Sequence, residues 1–181
     1  MKKRIFSTTL FFIVCSTMFS QSKEGFYAEF WGASTTIGIH YDTRFNGNTK
    51  WGGRFGIAYT NSSSTFFFQS CPNKTTGITF PIAVNYLIGN DQHNLELGIG
   101  ISYGLYSCNY IEKSHEVQKD KNAFFGFVDL GYRFLSKKGL IIRAGINPGM
   151  SLSTYDDLGR EEHGVDREAV IYPYIGIGYM F

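Results

Sequence analysis

Charge is sparse in this 181-residue chain: only 18% of residues are Asp, Glu, Lys or Arg, and 17 basic groups nearly balance 15 acidic ones. Such a low charge content, with 43% hydrophobic residues, excludes a disordered polyelectrolyte, because the chain can bury enough surface to offset its conformational entropy. Long hydrophobic runs are also missing. The longest strictly apolar stretch, Leu10 to Cys15, falls far short of the roughly 20 residues a membrane-spanning helix needs. Proline is scarce, at 4 residues, and the 21 glycines follow no every-third-residue period, which excludes a collagen-like chain. What is abundant is aromatic surface, with 17 Phe and 12 Tyr. The length suits one domain with a sizeable core.

The amino terminus reads as an address. Lys2, Lys3 and Arg4 precede an apolar stretch from Ile5 to Phe19, followed by Ser20, Gln21 and Ser22. This is the basic, apolar and small-residue order of a secretory signal peptide, with cleavage expected after Ser20, so residues 1–20 form the signal and 21–181 the mature domain. Val14 stands before Cys15 where a lipoprotein attachment signal wants Gly or Ala. Losing three basic residues takes 17 to 14 against 15 acids, so the formal charge moves from +2 to −1, and no nucleic-acid partner is expected. Two cysteines remain, Cys71 and Cys108. An exported chain permits a disulfide between them.

From Gly25 onward the hydrophobic period is two. In Asn94 to Tyr106, Leu95, Leu97, Ile99, Ile101, Tyr103 and Leu105 share one face, and Glu96, Gly98, Gly100, Ser102 and Gly104 the other. Eight strands follow from this pattern, at about 25–32, 35–45, 50–60, 76–89, 93–107, 122–135, 139–152 and 169–181. Short turns at 46–49, 90–92 and 136–138 alternate with longer loops at about 61–75, 108–121 and 153–168, and the first hairpin is tight. An even number of antiparallel strands with short turns at one end and long loops at the other is the pattern of an all-β, up-and-down transmembrane barrel.

A soluble barrel would alternate too, so the chemistry of the polar face decides. That face is rich in glycine, including Gly38, Gly52, Gly56, Gly98, Gly100, Gly131, Gly145, Gly176 and Gly178, rather than in Lys and Glu. Small residues suit the cramped interior of an eight-stranded barrel, and the opposite face of Phe, Tyr, Ile, Leu and Val suits lipid. Lysines fall in the signal, in turns or loops, or at strand edges, whereas Arg44, Arg54, Arg133 and Arg143 fall within strands.

Parity sends Glu29, His40, Asp42, Arg44, Arg54, Glu96, Asp129, Arg133 and Arg143 inward, four acids and four arginines with one histidine. The turn at 46–49 places Asp42 roughly opposite Arg54, the turn at 136–138 places Arg143 diagonal to Asp129, and Glu29 can reach His40 across the first hairpin. A balanced, narrow interior of this kind reads as a salt-bridged plug, with a gated pore as the alternative. Two features strain the pattern. Pro81, Pro148 and Pro173 fall inside strands, where bulges or strand ends are expected. A register shift there would flip the inward and outward faces. Phe30 and Trp31 are consecutive and bulky, so parity cannot hold simply at both.

The carboxyl-terminal YIGIGYMF, Tyr174 to Phe181, resembles the assembly signal of outer-membrane barrels, with Gly176, Tyr179 and Phe181 at its glycine, penultimate aromatic and terminal aromatic positions. The mature chain, through PIAVNYLIGN, LELGIGISY, LGYRF and GLIIRAGINP, resembles the small eight-stranded OmpA/OmpX-like outer-membrane barrels. That resemblance implies a Gram-negative outer membrane, insertion by the barrel-assembly machinery, outer-membrane lipids and lipopolysaccharide as surroundings, and a monomer without cofactors. It implies function only loosely: a structural or surface-binding barrel acting through its outer loops, with an extracellular ligand there, or else a narrow gated small-solute channel.

Other motifs are weak. The segment 153–168 holds six acids against Arg160 and Arg167 but lacks the spacing of a calcium loop. Ser114, His115 and Glu116 are merely adjacent, which does not make a triad. Small outer-membrane barrels can be lipid A deacylases, palmitoyltransferases or phospholipases; His40, His93, His115 and His163 form no familiar signature of these. An enzyme is therefore not expected, nor a catalytic, cofactor or metal site.

Overall fold

The structure, a computed structural model, describes residues 24–45, 49–63, 74–90, 92–112, 115–152 and 170–181. The expected signal segment, Cys71, Ser114, His163 and the acidic segment 153–168 lie outside these residues. Eight strands are present: β1 (Gly25–Trp31), β2 (Ile37–Arg44), β3 (Trp51–Ser63), β4 (Lys74–Gly89), β5 (His93–Glu112), β6 (His115–Leu135), β7 (Leu140–Ser151) and β8 (Val170–Met180). Each pairs antiparallel with the next, and β8 closes on β1 through Gly25↔Met180 to Trp31↔Tyr174. Closure leaves no free edge through the body of the wall, the condition for surviving in hydrocarbon, where no water can satisfy the backbone.

Side chains alternate across this wall with period two. On β5 Ile99 is 69% exposed and its neighbours Leu97 and Ile101 are exposed too, whereas Glu96 is fully buried. The same inversion repeats around the barrel: Ile39, Phe55, Ile82, Tyr132 and Ile177 face out, and Asp42, Arg54, Asn85, Arg133 and Arg143 face in. Aromatic side chains cluster outside at the end that bears the termini, where Phe26 meets Tyr41 and Phe181, Tyr41 meets Phe55, and Trp51 meets Tyr86. Interior apolar clusters are small; one joins Tyr27, Ile141 and Met180, another Ala33, Ala83 and Phe127.

The structure corrects the sequence reading in three places. Residues 108–112 and 115–121 are strand rather than loop: β5 and β6 stay paired out to Glu112↔His115, so Cys108 lies within a strand, and Lys119 and Lys121 do as well. Polar residues there signalled a loop, but the stretch has no glycine or proline to end the ladder. No bulge marks the prolines either. Pairing of β3 with β4 lapses at Pro81 and resumes in the same register, from Phe55↔Ile82 to Ala58↔Thr79. Likewise β6 and β7 part at Pro148 and rejoin unshifted, from Phe127↔Gly149 to Leu130↔Ile146. A proline lacks only its donor, and a two-residue gap absorbs that without altering parity. Pro173 pairs with Ile146 on β7 but lies just past the last rung with β1.

The third difference is at the first hairpin. Trp31 takes φ 62°, a left-handed conformation costly for a bulky residue. This keeps Phe30 and Trp31 both outside, 40% and 54% exposed, and turns the chain inward. Gly32–Ser34 then form a single 3-10 turn that is wholly buried. The wall is also uneven. Pairing of β6 with β7 starts at Phe125↔Ser151, whereas β6 runs ten residues further, from Phe124 back to His115, paired with β5. Thus, among the described residues, β3 to β6 extend on one side as a sheet beyond the last rung of β6 with β7.

Candidate functional site in the barrel lumen

All nine charged or histidine side chains named from parity lie inside the barrel, and among the described residues they are the buried ones of those types. They form one network. Arg133 on β6 takes Asp42 of β2 with both terminal nitrogens, at 3.0 and 2.7 Å, and Glu96 of β5 with Nε and Nη2, at 2.9 and 2.7 Å. This is the two-pronged geometry that guanidinium offers and ammonium does not. Arg44 donates to Asp42 at 2.6 Å. Asn85 of β4 donates to Glu96 at 2.6 Å and to Asp42 at 3.3 Å.

Arg143 on β7 reaches three acids on three other strands: Glu96 at 2.9 Å, Glu29 at 3.1 Å and Asp129 at 3.0 Å. Its guanidinium lies 4.5 Å from the Tyr27 ring and 5.1 Å from the Tyr174 ring. Arg54 bridges Glu29 and Asp129, each at 2.9 Å, and donates to the Tyr27 hydroxyl at 2.9 Å. Tyr174 donates to the other Asp129 oxygen at 2.7 Å. Every oxygen of the four carboxylates thus accepts from the protein itself, as burial of charge requires. Among the described residues no group of His, Cys, Asp and Glu is arranged to hold a metal ion.

Asp42 and Arg54 are cross-strand partners on the backbone, yet their side chains diverge to other partners. Arg143 and Asp129 do meet. Glu29 and His40 stand at 3.6 Å, with the Ser34 hydroxyl between them, 3.1 Å from Glu29 Oε1 and 2.7 Å from His40 Nε2. If Ser34 donates to Glu29, it accepts from Nε2–H of His40, leaving Nδ1 as the bare nitrogen; Nδ1 has no hydrogen-bond partner. A hydrolytic triad needs the acid on the ring nitrogen opposite the serine. Here carboxylate and serine share one side of the ring, and Ser34, His40 and Glu29 are all fully buried. The arrangement is a latch, not a nucleophile.

The latch holds the 3-10 turn inside the barrel. The Ala33 amide donates to Asn147 Oδ1 at 2.9 Å, and Asn147 Nδ2 donates to the Val128 carbonyl at 3.2 Å, in the ladder gap beside Pro148. Gly32 has φ +59°, and a Cβ there would stand 2.6 Å from both Asn147 Oδ1 and Tyr174 Cβ. Sequence reasoning missed Ser34, Asn85, Asn147, Tyr27 and Tyr174. The inward parity of Tyr27 and Tyr174 was legible, but tyrosine reads as coat; Gly131 opposite Gly145 was the sign of a large ring, since a Cβ on Gly131 would meet the Tyr174 hydroxyl. Ser34 lies on a turn and had no signal.

Of the other named residues, Gly176 faces in against Glu29 and Arg143 on the neighbouring strands, while Tyr179 and Phe181 face out. Cys108 is buried, and Thr75 Oγ1 contacts its sulfur at 3.9 Å. His93 opens β5 beside Tyr132 and Phe134.

By sequence, no protein-family model and no curated protein matches the chain. By structure, the barrel is similar to the N-terminal β-barrel domain of Pseudomonas aeruginosa OprF, with TM-score 0.54 and 8% identity over 90% of this chain and 98% of that one. A major outer membrane protein from Thermus thermophilus aligns with TM-score 0.58 and 12% identity, covering 87% of this chain and 99% of the other. Neisserial surface protein A aligns with TM-score 0.52 and 10% identity, covering 88% and 96%. At such identities the likeness is one of fold: a closed, eight-stranded up-and-down barrel like those of these outer-membrane proteins.

Proposed function

We propose that the chain is an integral barrel of a Gram-negative outer membrane, monomeric and not an enzyme, whose lumen is plugged by its own charges. Its role is structural or surface-binding, exercised from the outside. The observation that carries this reading is the occupancy of the lumen: each carboxylate oxygen of Glu29, Asp42, Glu96 and Asp129 is taken by a protein donor, and the turn Gly32–Ser34 is buried above them. A solute would have to displace paired charges to pass, and stripping one partner from a buried pair costs about 3–5 kcal/mol. Function then falls to the exterior. The uneven sheet of β3 to β6 supports an extracellular ligand at that end, because it offers polar side chains such as Gln118 and Asp120 clear of the apolar coat.

Residues 1–20 would act as the signal peptide, and Gly176, Tyr179 and Phe181 would be read by the barrel-assembly machinery. The test is electrical. Purified, folded protein in planar phospholipid bilayers is expected to show no steady conductance, and reproducible open channels from the wild-type protein would overturn the plug.

A further inference from the structure

The apolar coat does not end evenly. Where β4, β5 and β6 rise past the belt marked by Tyr103 against Phe124, 4.8 Å between ring centroids, the outer face carries a furrow of about 600 Å³. Its floor is Ile78 and Leu105, which are cross-strand partners and are 45% and 49% exposed. Tyr59 flanks it from β3, 47% exposed. Its upper part is polar: Thr76, Ser107, Asp120 and Asn122 all line it. Ser107 and Asp120 oppose each other on the ladder, as do Leu105 and Asn122, so these groups converge on one face. Two of them are already oriented. Asn122 Nδ2 donates to the Tyr103 hydroxyl at 3.1 Å, leaving its carbonyl oxygen for a ligand, and Gln118 Nε2 donates to Ser107 Oγ at 2.6 Å.

We propose that this furrow binds one outer-leaflet glycolipid, a refinement that rests on the outer-membrane reading above. The floor is continuous with the lipid-facing coat, so it takes an acyl chain. The rim lies one step beyond the aromatic belt, at headgroup height. Hydroxyls, a carboxamide and a carboxylate are donors and acceptors matched to sugar hydroxyls, and the exposed Tyr59 ring gives an apolar face for the C–H side of a pyranose. A phosphatidylcholine headgroup fits less well, because it brings no hydroxyls for Thr76, Ser107 and Asn122 to pair with, whereas a sugar does; the phosphates of a glycolipid then lie away from the Asp120 carboxylate. The volume falls within the range of small-molecule sites.

The test uses the full folded barrel in phosphatidylcholine vesicles doped with lipopolysaccharide, extracted gently and read by native mass spectrometry. Wild-type protein is expected to retain about one glycolipid, and the double variant Asp120→Ala, Asn122→Ala at least tenfold less, while Ile171→Ala on the opposite wall retains it fully. Equal retention by wild type and the double variant, retention of phosphatidylcholine instead, or equal binding of the free saccharide without its acyl chains would each overturn the proposal. Should the double variant fail to fold, photo-crosslinking of a diazirine-bearing glycolipid to wild-type protein decides, with adducts expected on peptides of β4 to β6 and adducts spread evenly around the barrel counting against it. A barrel that will not enter vesicles at all would instead refute the membrane reading.

Discussion

Arg143 is the side chain on which the lumen depends most. It joins β7 to acids on β1, β5 and β6 at 3.1, 2.9 and 3.0 Å, and it is fully buried between two tyrosine rings. Replacing it in Arg143→Leu leaves four acids facing three arginines. None of the three acids is wholly abandoned: Glu29 keeps Arg54, Glu96 keeps Arg133, and Asp129 keeps Arg54 and Tyr174. The loss is therefore placed at the lower end of the range for breaking a buried pair, about 3 kcal/mol, or roughly two powers of ten in the unfolding constant. The assay is urea unfolding of the detergent-folded barrel followed by tryptophan emission. Trp31 and Trp51, the two tryptophans of the chain, are 54% and 52% exposed on the outer face and so report loss of the apolar surround. Charge parity is restored in the double variant Arg143→Leu, Asp129→Asn, which should recover about 1–2 kcal/mol as a coupling between contacting sites. An Arg143→Leu barrel within about 0.5 kcal/mol of wild type, or a double variant as costly as the two single changes summed, would refute the reasoning that these charges hold one another.

Asn147→Leu should release the buried turn, because it removes both the acceptor for the Ala33 amide and the donor to Val128; native-state hydrogen exchange at Ala33 would quicken by at least tenfold while amides in mid-β5 stay protected, and unchanged protection at Ala33 would count against the latch. Gly131→Ala should destabilise by about 1–3 kcal/mol through overpacking against Tyr174, and the added change Tyr174→Phe should recover part of it in the same urea assay; failure to recover any would show that the clash lies elsewhere. Cys108 is expected to be bridged to Cys71, so alkylation of the unreduced protein should add no mass, and a mass shift without reductant would refute the bridge.

The alternation along β5 made both the strand and its sides legible, because a period of two fixes which residues share a face once one face is lipid and the other is not. That is why the positions of Glu96, Arg133 and Arg143 could be read before any partner was known. Partner choice was another matter. Asp42 stands across from Arg54 on the ladder, but the lumen is narrow enough for side chains to span it, so Asp42 is satisfied from β6 by Arg133 and Arg54 from β1 and β6 by Glu29 and Asp129. Pairing inside a barrel is decided by reach across the axis, which sequence spacing does not encode. The hairpin to Glu112 was hidden for a related reason: outside the hydrocarbon both faces of a strand meet water, and the signal of alternation fades while the hydrogen-bonded ladder continues.

The first hairpin shows how the pieces depend on one another. Its buried turn requires a left-handed Trp31, a glycine at position 32 and an acceptor on β7, and that acceptor, Asn147, is free to serve because Pro148 interrupts the ladder beside it. A continuous β6–β7 ladder would have used the Val128 carbonyl and left Asn147 without the anchor that orients its amide. The proline that strains the strand pattern thus belongs with the turn that fills the lumen. With the turn in place, Ser34 delivers a hydroxyl to Glu29, the carboxylate that Arg54 and Arg143 also share, so the apolar-looking hairpin and the charged interior form one cooperative unit. The aromatic wealth of the chain is consistent with this division: Phe26, Phe55, Tyr132 and Tyr179 coat the outside, while Tyr27 and Tyr174, one or two residues from outward-facing neighbours, flank the arginine at the centre.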